Sequence, residues 1–216
     1  MRENYTHIIF VMDRSGSMQT IWNDAVGAYN SMIQRQKEEP GEATFTLVAF
    51  ENDYTEVLHD MPIKDVPELD TTMVFPRGGT SLLDAIGRTI RTASERWEAT
   101  REENKPSRVL VVIMTDGQEN SSSQFNRAQV SETISGITNR DNNRAQWEVI
   151  FLGANMDAIG EAMNFGLSPT RSANFTASAT GVSGALLYAS NTMSMYRSKG
   201  IVEDMPDSIE PTDKGV

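Results

Sequence analysis

Cysteine is absent from all 216 residues, which removes disulfides, thiolate metal sites and cysteine nucleophiles together. Histidine is almost absent: His7 and His59 are the only two, leaving histidine-based zinc sites and catalytic triads short of parts. Lys and Arg number 19 against 30 Asp and Glu, a formal charge of -11, and they form no block. Such a chain repels a phosphate backbone, so a nucleic-acid role is disfavoured. Long apolar runs are missing too. The N-terminal one extends only from Ile8 to Met12, too short for a signal-peptide core or a membrane span. With no cysteine and no targeting segment, the expected location is the cytoplasm, with no membrane partner.

What is present is an alternation of strands and helices. His7–Asp13 (HIIFVMD), Val109–Thr115 (VLVVIMT) and Trp147–Gly153 (WEVIFLG) read as strands buried on both faces. Ala43–Phe50 and Tyr54–Leu58 are joined by a hairpin-length turn and are therefore antiparallel. A weaker strand is expected near Ala173–Ala177. Helical spacing runs from Met18 to Ile33, stopped by Glu39-Pro40-Gly41, and again from Leu82 to Trp97. Further helices are expected near Arg127–Thr138, around Asp157–Asn164, and from Val182 to Tyr196. Residues 1–198 then form one α/β domain with a mostly parallel sheet covered on both faces. Residues 199–216, acidic and proline-bearing, read as a disordered tail. The 12 methionines are expected to fill the core, and both histidines to sit at solvent edges.

The chemistry is at the strand ends. Ligands of open α/β sheets bind beyond the carboxyl ends of strands, where strand order reverses. If the order is 3-2-1-4-5-6, the first and fourth strands are neighbours, and they end at Asp13 and Asp116. Three hydroxyls accompany these acids: Ser15 and Ser17 in Asp13-Arg14-Ser15-Gly16-Ser17, and Thr80 after Gly78-Gly79. Two carboxylates and three hydroxyls, with no nitrogen or sulfur donor, describe a hard-cation site. Magnesium or manganese suits it; calcium usually takes more carboxylate and a larger shell. Such an ion is only weakly neutralised and can accept a carboxylate from a partner protein. Arg14, Arg77, Gln118, Glu119 and Asn120 are expected to rim it, either contacting a partner or facing water. Asp84 reads equally as a surface or capping acid and as a group supporting the site. Ser121–Ser123 could start the next helix or bear phosphate, the former being preferred.

The set Asp-x-Ser-x-Ser, distant Thr, and Thr115-Asp116-Gly117 resembles the metal-ion-dependent adhesion site of von Willebrand factor type A domains, over roughly residues 5 to 198. The resemblance is greatest to stand-alone cytoplasmic proteins of bacteria and phages grouped with the tellurite-resistance protein TerY. It implies a three-layer, doubly wound, Rossmann-like fold with six strands in the order 3-2-1-4-5-6. Tyr54–Leu58 would be its antiparallel edge. It also implies divalent-metal-dependent binding of a protein ligand, often through an acidic side chain, and the expected role is a non-enzymatic binding module.

Two other readings compete. Haloacid-dehalogenase-type phosphoryl transfer with magnesium would need a second carboxylate two residues after Asp13, where Ser15 stands, and a lysine near the phosphate. A purely structural ion is the other. A serine hydrolase fails for want of a histidine beside Ser15 or Ser17.

Overall fold

In a computed structural model, which describes residues 1–72, 74–138 and 145–211, the six strands form one sheet in the order β3-β2-β1-β4-β5-β6. They are β1 (Arg2–Asp13), β2 (Glu42–Phe50), β3 (Tyr54–Pro62), β4 (Pro106–Thr115), β5 (Gln146–Ala154) and β6 (Ser172–Phe175). Every pairing is parallel except β2 with β3. The helices are α1 (Trp22–Glu38), α2 (Leu82–Ala99), α3 (Arg127–Thr138), α4 (Ala158–Asn164) and α5 (Ala179–Lys199).

Alternation along β1 divides the core. Ile8, Phe10 and Met12 face one apolar cluster with α1 and α5, while Ile9 and Val11 face a second with α2, α3 and α4. Both layers bury apolar side chains against the sheet, the main stabilising contribution to such a fold. Local chemistry sets the helix ends. Ser178 caps α5 by accepting from the Gly181 N–H, and Gly200 ends it in the left-handed region at φ 69°. No helix among the described residues is long and apolar enough to cross a membrane.

Three expectations change. The helix read from Met18 onward is broken: Gly16–Thr20 is a short 3-10 turn, and α1 starts only at Trp22. The tight turn keeps Ser15 and Ser17 at the strand end instead of on a helix face. His7 is not a solvent-edge group; its ring is flanked by Thr44 Oγ1 at 2.8 Å and Thr46 Oγ1 at 3.3 Å, with Asp60 at 3.3 Å. The stretch read as a disordered tail packs against the domain as far as Ile209. Val202, Met205 and Ile209 are buried, and the Asn174 N–H donates to the carbonyl of Asp207 and the Ile209 N–H to that of Asn174, fixing the segment along β6. Residues 212–216 of that tail lie outside the described residues.

Candidate metal centre

Strands β1 and β4 are neighbours in register, Met12 beside Met114, so Asp13 and Asp116 emerge side by side at the carboxyl edge. Asp13 is fully buried. Its carboxylate accepts from the Ser15 N–H at 2.6 Å and the Thr115 hydroxyl at 2.5 Å. Ser17 donates to Asp116 at 2.6 Å, and the hydroxyl oxygens of Ser15 and Ser17 are 2.9 Å apart.

Gly117 reveals how the hydroxyls converge. A Cβ at this position would lie 3.1 Å from Thr80 Oγ1, 3.3 Å from Ser17 Oγ and 3.9 Å from Ser15 Oγ. Three hydroxyl oxygens from two distant loops thus surround one point beside two carboxylates. This cradle fits a hard cation: its three hydroxyls approach one point, Asp116 is bonded to Ser17 among them, and all five groups offer oxygen. No group of three His, Cys, Asp or Glu side chains suited to a metal exists among the described residues, so hydroxyls are essential to the donor set.

Both acids are held out of water. Burial pushes the Asp13 carboxyl up to about 6, against the pull of its Thr115 and Ser15 hydrogen bonds and with a further push from Asp116. Burial also raises Asp116, partly offset by Ser17. A pair of buried carboxylates to which no cationic side chain among the described residues is bonded is costly unless a cation compensates them.

A scaffold of backbone bonds fixes the loops. The Gly16 N–H donates to the Gly78 carbonyl at 3.1 Å, and the Arg77 N–H to the Arg14 carbonyl at 2.9 Å. Asn120 clamps Thr80 from both sides, its Oδ1 accepting from the Thr80 N–H at 2.9 Å and its own N–H donating to the Thr80 carbonyl at 3.1 Å. Asn52 Oδ1 accepts from the Gly79 N–H at 2.7 Å. Gly78 has φ 68°, and a side chain on it would collide with Asn52 and Glu51.

Of the expected rim, Arg14 does not reach the surface. It is buried against Glu51 at 3.4 Å and Thr55 at 3.0 Å. Arg77 stays half exposed while donating to the same Glu51 at 2.8 Å. Glu119 accepts from the Leu83 N–H at the start of α2 and from the Ser121 and Ser122 N–H groups. Gln118 and Asn120 are exposed, Asn120 while still bonded to Thr80. Asp84 reciprocates Glu119, accepting from the Ser123, Gln124 and Phe125 N–H groups. Ser121–Ser123 therefore belong to this lock and do not start α3. Sequence reasoning missed Glu51 and Asn52, which lie in the hairpin turn, and the exposed Phe75. A carboxylate placed directly after the apolar strand β2 was the available signal for Glu51.

Residues 8–118 match the model of the von Willebrand factor type A domain, and the chain belongs to that family. A search of curated proteins returns no match. Among solved structures, proximal thread matrix protein 1 of the mussel byssus, with a zinc-occupied adhesion-site motif, is 16% identical. That match covers 88% of this chain and 46% of the mussel protein at TM-score 0.58. A von Willebrand factor type A protein from Catenulispora acidiphila is 16% identical over 88% of this chain and 42% of its own, at 0.61. The pilus adhesin SpaC of Lactobacillus rhamnosus GG, in an open conformation, is 13% identical over 90% and 30%, at 0.63. This chain spans less than half the length of each of these proteins. At such identities the likeness is one of fold.

Proposed function

We propose that this chain is a non-enzymatic, divalent-metal-dependent protein-binding module acting in the cytoplasm. Asp13, Ser15, Ser17, Thr80 and Asp116 would hold the ion, and a partner carboxylate would meet it. The single observation that supports this is the convergence of three hydroxyl oxygens around Gly117 beside two buried acids. Magnesium suits the set best, manganese fits the same donors, and calcium less well. Bound there, the ion supplies a hard Lewis acid that attracts an anionic oxygen.

The chain's own residues do the rest. Each Asp13 oxygen already accepts one hydrogen bond, from Ser15 or Thr115, so Asp13 orients the loop and would add its charge to the ion partly through water. The hydroxyls supply neutral donors, which keeps the site electrophilic. Phosphoryl transfer is disfavoured because Ser15 occupies the position of the required second acid.

Titration calorimetry with magnesium and manganese tests the metal. Wild type should bind, and Thr80→Ala and Asp116→Ala should each lose at least about tenfold in affinity. Capture of host proteins on the immobilised chain should be abolished by chelator and by Thr80→Ala, with circular dichroism unchanged. Equal metal affinity in all three proteins would sink the proposal.

A further inference from the structure

Four large apolar side chains are exposed among the described residues: Met1, Phe75, Met163 and Ile201. Two of them lie in segments beside the candidate metal centre: Phe75 two residues from Arg77, whose N–H bonds Arg14, and Met163 across a groove from Gln118. Phe75 is 50% exposed in the loop that leads to Thr80, on the side of β2. Met163 is 56% exposed on α4, which follows β5 on the opposite side.

Phe75 is not exposed for want of order. The neighbouring Val74 is buried, and its carbonyl accepts from the Trp22 indole at 3.0 Å. Arg77 is tied by its N–H to Arg14 and by its side chain to Glu51, and its guanidinium lies 5.6 Å from the Phe75 ring centre. An aromatic ring held in water on a pinned loop costs little further ordering when a partner covers it. On the other flank, Gln118 opens onto a groove of about 480 Å³ that Met156 and Met163 help to line. The carboxylates of that groove, Glu119, Asp157 and Glu161, outnumber its one cation, Arg127. A further acid brought there would be repelled.

We propose that Phe75 and Met163 are apolar anchors on either side of the ion, and that the partner is an apolar protein segment carrying a single carboxylate, in contrast to an acidic tract. This rests on the metal-dependent reading above. The carboxylate meets the centre, its apolar neighbours cover Phe75 and Met163, and the acidic groove rejects segments with several acids. Phe75, aromatic and on a pinned loop, carries the larger share.

Random displayed peptides selected on the immobilised chain in magnesium and eluted with chelator test this. Eluted peptides should share one Asp or Glu flanked by apolar residues. A synthetic copy of one should bind Phe75→Ala about tenfold more weakly and Met163→Ala about threefold more weakly. Magnesium affinity, measured by calorimetry on both variants, should be unchanged. Both side chains are exposed, so neither change threatens the fold. Chelator-eluted peptides with acidic runs, or equal affinity for Phe75→Ala, would overturn the anchors while leaving the metal reading intact. Peptide retention indifferent to chelator and to Thr80→Ala would overturn the metal reading beneath them. Failure to enrich any peptide in magnesium counts against both.

Discussion

At the residue scale, Glu51 is the hinge of the site's support. It is 3% exposed, yet it meets Arg14, Arg77 and the N–H groups of Asn52 and Asp53. Burial alone would raise its carboxyl, but the Arg77 hydrogen bond and the backbone donors outweigh that and hold it below the ordinary range. The sign follows directly. Stabilisation from Glu51 is present above the unfolded carboxylate range and is lost as pH falls through the lowered folded value. Glu51→Gln removes the charge that Arg14 is buried against, at a cost of about 3 kcal/mol near neutral pH. Urea denaturation should show that deficit at neutral pH and a much smaller one in acid. A deficit independent of pH would mean that packing, not charge, explains the role of Glu51. None of this was legible from the motif. Asp13, Ser15, Ser17, Thr80 and Asp116 stand out by spacing, because few residue types offer the oxygen donors that a hard cation would take. Glu51, Asn52 and Asn120 act through contacts between loops 26 to 40 residues apart in sequence, namely Glu51–Arg77, Asn52–Gly79 and Asn120–Thr80.

At the element scale, the strands were readable because both faces of β1, β4 and β5 are covered, which forces near-continuous apolar runs. The segment after α5 was misread for a related reason. Its acids and prolines suggest disorder, but Val202, Met205 and Ile209 are spaced to reach the protein, and only β6 tells them where. That segment closes the outer edge of β6, whose free N–H and C=O groups would otherwise invite another strand. Deleting residues 201–216 should cost about 2–4 kcal/mol, from three buried side chains set against the entropy of ordering them. Thermal denaturation checks the loss, and sedimentation should detect association through the bared edge. Unchanged stability would mean that the segment is only loosely laid on β6.

At the scale of the whole molecule, the sheet assembles a carboxyl edge that is expensive to keep without a cation. Asp13 follows directly on Met12, which pairs with Met114, and Asp116 follows on Thr115 at the end of β4; both acids are buried there. A ligand that binds only the folded state adds about 2.7 kcal/mol at a hundredfold excess over its Kd. For a chain of this size, that corresponds to a rise in melting temperature of roughly 5–10 °C in saturating magnesium. Asp116→Asn keeps an acceptor for Ser17 but removes one buried charge. In chelator this variant should melt at or above wild type, because an amide costs less to bury than a carboxylate. In magnesium it should fall below wild type, having lost most of the ion's contribution. The crossing of the two proteins between chelator and magnesium is the outcome that separates a built cation site from a merely polar turn. If Asp116→Asn is destabilised equally in both buffers, the carboxylate is a structural hydrogen-bond acceptor and the cradle around Gly117 holds no ion.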